Sequence, residues 1–138
     1  MRKNPSIIVL AAALVLVIGS CTGGTKVTIS DLAGNWVSTS WTNSSAPGTS
    51  RGTMTMTIES SGSFSMVQSP VTGGTNSFTG TLLVANETDL LVTLTDINGS
   101  PAPSPPLNKQ VIEFNLSGNT LTLNAPASGT VDTIVFTR

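Results

Sequence analysis

From residue 34 onward the chain alternates apolar and polar residues with a period of two, in short runs separated by small and polar residues. Successive side chains of a β-strand point to opposite faces, so this alternation predicts strands with one buried face. The runs cover residues 34–41, 52–59, 63–69, 77–85, 89–96, 109–116, 120–124 and 131–138. In the second, Met54, Met56 and Ile58 share a face and threonines hold the other; in the third, Phe64 and Met66 fall together. Phe78, Gly80, Leu82 and Val84 align in the fourth, and Leu90, Val92 and Leu94 in the fifth. The sixth sets Ile112, Phe114 and Leu116 against Val111, Glu113 and Asn115, and the seventh presents Leu121 and Leu123. The eighth admits two phases, of which Ile134 and Phe136 form the better inward pair. No stretch of residues 25–138 carries apolar residues at helical spacing, so the domain is predicted to be all-β.

The links between these runs alternate in length. Residues 60–62, 86–88 and 117–119 are short and carry the Ser, Gly and Asn of tight hairpins. Residues 42–51, 70–76, 97–108 and 125–130 are longer. Alternate connections of an up-and-down meander lie at opposite ends, so one end is predicted to be tightly closed and the other rimmed by four longer loops. Eight strands is also the number at which a barrel just fills with side chains or holds one small ligand, and closure removes the exposed edges. The expected fold is an eight-stranded antiparallel up-and-down β-barrel over residues 29–138.

The N-terminus follows a different pattern. Arg2 and Lys3 precede an uninterrupted apolar run from Ile7 to Ile18. A spanning helix needs about twenty apolar residues, so this shorter run reads as a cleaved signal peptide of residues 1–20. Ile18-Gly19-Ser20-Cys21 then resembles the bacterial lipobox, an aliphatic residue and two small residues before cysteine. The resemblance implies diacylglycerol on the Cys21 sulfur, cleavage before Cys21, and acylation of the new amino group by a fatty acid such as palmitate. Dual acylation makes a stable membrane anchor where one chain is marginal. Residues 21–28 become the lipidated tether, and the location implied is the cell envelope. Thr22 stands where a retention aspartate is known in Gram-negative lipoproteins, so the outer membrane is favoured if the source is Gram-negative.

Composition narrows the function classes. Residues 21–138 carry Lys26, Arg51, Lys109 and Arg138 against Asp31, Glu59, Glu87, Asp89, Asp96, Glu113 and Asp132, and four minus seven gives minus three. No basic patch exists for nucleic acid. The lone cysteine is consumed by lipid, so the fold rests on its core without a disulfide. The sequence has no histidine and no tyrosine, which removes common general bases. No carboxylate pair, Gly-rich phosphate loop or cluster of metal ligands stands at a recognisable spacing, and Glu87, Asp89 and Asp96 fall at turns or loops. The expectation is a non-enzyme with no cofactor and no metal.

Asp31-Leu32-Ala33-Gly34-Asn35-Trp36 resembles the opening of lipocalin-like domains, which begin the barrel with glycine, one residue, then tryptophan. The ending, residues 119–123 followed by 134–138, is similar to the closing hairpin of small bacterial lipocalin-like lipoproteins, which finishes on a basic residue. The resemblance spans residues 29–138 and departs from larger lipocalins in lacking their C-terminal helix and disulfides. Independently of it, the first strand leaves the closed end and the eighth returns there, so Trp36 and Arg138 are expected to meet beside Gly34. A guanidinium over that ring contributes about 0.5 to 2 kcal/mol.

Two functional expectations follow. In the first, Met54, Met56, Phe64, Met66, Phe78, Leu82 and Val92 line an interior that holds a small apolar or amphipathic ligand, methionine being suited to irregular pockets. The same side chains also suit a filled core, and Gly80 either makes room for ligand or accommodates a bulge. In the second, the barrel is filled and the long loops form an interaction or inhibitor module for a cell-envelope partner. Pro101, Pro103, Pro105 and Pro106 stiffen one of those loops, and Trp41 is either a rim contact or strand packing.

Overall fold

The computed structural model of the chain describes residues 26–105 and 107–138. The signal segment and Cys21 lie outside the described residues. A one-turn helix, α1 (Ile29–Leu32), leads into β1 (Gly34–Asn43), β2 (Gly52–Ile58), β3 (Ser63–Pro70), β4 (Asn76–Val84) and β5 (Asp89–Ile97). There follow β6 (Ser100–Pro101), β7 (Lys109–Ser117), β8 (Thr120–Ala127) and β9 (Thr130–Thr137). Each strand pairs antiparallel with its neighbours around the ring β1-β2-β3-β4-β5-β7-β8-β9, which closes through β9 onto β1. The domain is therefore a closed eight-stranded antiparallel barrel, with β6 an extra strand paired to the far end of β5.

Two of the expected loops are not loops. Residues 125–130 continue the β8–β9 ladder through Ala127 and Thr130, joined by a two-residue turn at Ser128 and Gly129 with φ of 45° and 80°. Residues 97–108 begin with a second such turn, Asn98 and Gly99 with φ of 54° and 81°, which folds β6 back on β5. Paired positive φ values give the turn whose twist matches the flanking strands, and Asn and Gly tolerate them. The rim thus consists of residues 44–51, residues 71–75, the segment after β6 and a projecting β8–β9 hairpin, in place of four loops.

Strand phase follows the sequence pattern except where bulges shift it. In β2, Met54, Met56 and Ile58 are buried and the intervening threonines exposed. In β1, a register shift between Ser38 and Ser40 reverses the alternation, so Trp36 and Trp41, five positions apart, both face inward. Their exposures of 1% and 4% make Trp41 a packed interior residue. Gly80 sits at a second shift, between β4 and β5. A Cβ there would stand 2.0 Å from the Thr93 carbonyl oxygen, so the glycine admits the β5 backbone and does not enlarge the interior. In β9, Ile134 and Phe136 are buried, which sets that strand's phase.

The closed end is plugged by α1, which the period-two pattern did not foresee. Thr28 caps it: the Asp31 carboxylate accepts the Thr28 backbone N–H at 2.7 Å and hydroxyl at 2.8 Å. These bonds, the backbone one foremost, hold the Asp31 carboxyl below its ordinary range. The plug's carbonyls, which a helix end leaves unpaired, are met by side chains. The Trp36 indole N–H donates to Leu32 O at 2.8 Å, and Arg138 Nη1 donates to Asp31 O and Ala33 O, each at 2.9 Å. Gly34, with φ of 143°, turns the chain from plug to strand in a conformation other residues rarely adopt, and the Arg138 side chain lies beside it.

The core concentrates at this end. The large side chains with the least exposure are Leu32, Trp36, Leu90, Leu121 and Phe136. Each belongs to the plug or to the closed-end portion of its strand. Toward the open end the inward residues Met66, Phe78, Val92, Leu94 and Ile112 are only partly buried. Packing is tightest around the plug, among Leu32, Trp36 and Phe136, and looser above it.

Candidate functional site

That looser packing leaves a cavity of about 490 Å³ that runs from the open end of the barrel down to Ile58, Phe64, Leu82, Leu90 and Leu121. Met54, Met56, Phe64, Met66, Phe78, Leu82 and Val92 all line it, together with Leu94, Ile112, Leu123 and Ile134. Four adjacent strands, β2 to β5, supply those first seven residues, because their alternation puts every second apolar side chain on one wall. The cavity reaches solvent at its upper edge, where the lining includes the exposed residues Leu107, Lys109 and Gln110. The volume falls within the range of about 300 to 1,000 Å³ usual for small-molecule pockets.

Polar groups are confined to the mouth. Gln68 continues the Phe64–Met66 face of β3 toward the rim, and its amide lies 3.9 Å from the Met54 sulfur. Asn108 grips β5: its side-chain N–H donates to Leu94 O at 3.0 Å, and Leu94 N–H donates to the Asn108 backbone carbonyl at 2.9 Å. Gln110 reaches across to Pro126 O at 2.9 Å. These amides stand at the mouth, and the walls below them carry only apolar side chains. Gln68, Gln110 and Asp132 extend by one step the period-two faces already readable in the sequence, to which Leu94 belongs; Asn108, ahead of β7, carries no such local signal.

Asp132 is the inward carboxylate of β9 and the hub of the mouth. It accepts the Trp41 indole N–H at 3.1 Å, the Asn43 side-chain amide at 2.6 Å and Arg51 Nη1 at 2.5 Å. Burial pushes its pKa up, but the bonds from Asn43, Trp41 and Arg51 and the charge of Arg51 outweigh burial and hold it below 3.8. The Arg51 guanidinium also lies over the Trp41 ring at 5.3 Å. The other tryptophan of β1 has the corresponding partner at the closed end, where Arg138 lies over Trp36 at 4.6 Å. Among the described residues no three His, Cys, Asp or Glu side chains are grouped to hold a metal ion.

No protein-family model, curated protein or solved structure matches this chain. The interior is an apolar chamber with a polar, solvent-facing mouth and a base plugged by α1.

Proposed function

We propose that this protein is a lipid-anchored, non-catalytic barrel of the cell envelope that holds a small apolar or amphipathic molecule in its interior, above the plug. The observation that carries the reading is the 490 Å³ cavity lined by Met54, Met66, Phe78 and Val92 above a filled base. An apolar ligand entering it removes its own surface and that of the lining from water, worth roughly 25 cal/mol per Å² before the costs of association. The three methionines of the wall are unbranched and polarizable, which lets the chamber adapt to ligands of varied outline. The amides of Gln68, Asn108 and Gln110 favour a ligand with one polar end held at the mouth.

The anchor fits the same geometry. The chain enters the barrel at its closed end through Val27 and Ile29, which pack against the core there. A lipid on Cys21 is separated from Ile29 by a tether that spans at most about 26 to 29 Å when fully extended. The base then faces the bilayer and the mouth points away from it, free to receive a ligand from the envelope compartment.

Native mass spectrometry of the purified protein tests the reading. The expected result is a co-purifying small molecule that leaves on denaturation, and whose retention is lost when Val92 is replaced by phenylalanine to fill the chamber. A protein that carries nothing, and takes up no apolar molecule when offered a panel of fatty alcohols and acids, would contradict it.

A further inference from the structure

A second cavity lies outside the barrel, between the β1–β2 loop and the projecting β8–β9 hairpin. It measures about 430 Å³ and is lined by Asn43, Ser45, Thr49, Arg51, Ser128 and Thr130, with Ala46 and Ala127. Arg51 is the one charged residue in that lining. We propose that this cleft is a binding site for an oxyanion, a carboxylate or a phosphate group, recognised by the free edge of Arg51 and the hydroxyls of Thr49 and Ser128.

Arg51 is fixed before any ligand arrives. Its backbone N–H donates to Trp41 O at 2.8 Å and its carbonyl accepts from Val71 at 2.9 Å. Its guanidinium stacks over Trp41 and gives one N–H to Asp132. A guanidinium carries five N–H donors in a rigid fork, and among the described residues the other four have no hydrogen-bond partner. The side chain is 43% exposed, so those donors remain reachable. A planar fork held in one orientation suits the two oxygens of a carboxylate or phosphate, and little rotamer freedom is left to lose on binding.

The rest of the cleft supplies donors and rigidity. Asn43, 9% exposed, spends its amide on Thr130 at 2.8 Å and on Asp132, while its carbonyl receives Ser45 N–H at 2.9 Å and Ser45 hydroxyl at 2.6 Å. This network ties the loop wall to the hairpin wall and leaves Ser45 and Thr130 already committed. The Thr49 and Ser128 hydroxyls have no partner among the described residues and complete the donor set. Asp132 lines the barrel interior and not the cleft, so the anion would meet the face of Arg51 turned away from it.

The test is a titration of the uniformly 15N-labelled barrel, which closes within the described residues, with sodium acetate and separately with sodium phosphate, against sodium chloride at matched ionic strength. The expected result is saturable shifts of the Arg51 Nε–H and of the Thr49 and Ser128 amides with acetate, phosphate or both, and none with chloride. The anion that saturates at the lower concentration tells a carboxylate site from a phosphate site. Thr49→Val, which leaves the Arg51–Asp132 pair in place, should weaken the binding roughly threefold to tenfold. Arg51→Lys keeps a charge for Asp132 but loses the fork and should weaken it further. Shifts that rise linearly and equal those of chloride, or saturable shifts unchanged in both variants, would overturn the proposal. The readout is confined to cleft residues, so it is independent of whether the barrel interior holds a ligand.

Discussion

The Arg138 guanidinium lies 4.6 Å from the centre of the Trp36 ring and donates to two carbonyls of the plug, so the last residue of the chain locks the first turn of the domain. Replacing Arg138 with alanine removes the stack and both hydrogen bonds at once. The expected loss is about 1 to 3 kcal/mol, the lower part of that range reflecting the exposure of the arginine. Denaturant unfolding of the variant should show a lower midpoint with an unchanged slope.

Gly80 admits no side chain. A Cβ at this position would stand 2.0 Å from the Thr93 carbonyl oxygen and 3.0 Å from Leu94 Cα, both backbone atoms that cannot rotate away. Gly80→Ala should therefore force β4 and β5 apart and cost about 2 to 4 kcal/mol. Thermal unfolding followed by circular dichroism measures this directly. An alanine variant as stable as the parent would mean that the close approach of β5 is relieved by a small backbone movement.

Acid should weaken the network at the mouth. Asp132 is held below its ordinary pKa of 3.8 in the folded protein, against burial, by Asn43, Trp41 and Arg51. Such a carboxyl takes up its proton more readily in the unfolded chain, so its stabilising contribution is complete above the unfolded pKa and is lost as pH falls through the folded one. Asp31 shifts in the same direction through its bonds to Thr28. Between about pH 5 and pH 2 the parent should lose more stability than Asp132→Asn, in which this carboxyl no longer titrates. Equal losses in the two proteins would show that the mouth network does not govern acid sensitivity.

Much of this fold is legible in the sequence because threonine and serine alternate with large apolar residues, as in Thr53 to Ile58, where the structure buries each apolar member. Where alternation breaks, legibility fails for physical reasons. The shift between Ser38 and Ser40 inserts a residue into β1 and reverses its phase, so the inward position of Trp41 cannot be counted from Trp36. The plug is one turn long, too short for a helical period, although Thr28-x-x-Asp31 was available as a capping signal. Asn98-Gly99 and Ser128-Gly129 are turn dipeptides that shorten two apparent loops. Arg51 and Asp132 are 81 residues apart, and only closure of the barrel brings them together. The cavity itself leaves no trace in the sequence, since an inward Met66 or Val92 looks the same whether it meets another side chain or faces a void.

Filling that void should separate binding from folding. Val92 lines the cavity and is only partly buried, so Val92→Phe has space to enter without displacing a neighbour. The variant is expected to gain up to about 1 kcal/mol of stability. It should also lose uptake of apolar molecules. A variant that unfolds more readily would place Val92 in a site already fully packed.

The central claim is that the barrel interior above the plug receives a ligand, and the methionines report on it. Met54, Met56 and Met66 are the three methionines after Met1, and all three line the cavity. Selective 13C labelling of methionine methyl groups in a form beginning at Thr22 therefore gives three signals from the chamber. Titration with a medium-chain fatty alcohol should move all three along saturable curves, and Val92→Phe should abolish the movement. Three signals that stay in place across the titration, or that move only linearly without saturating, would contradict the account.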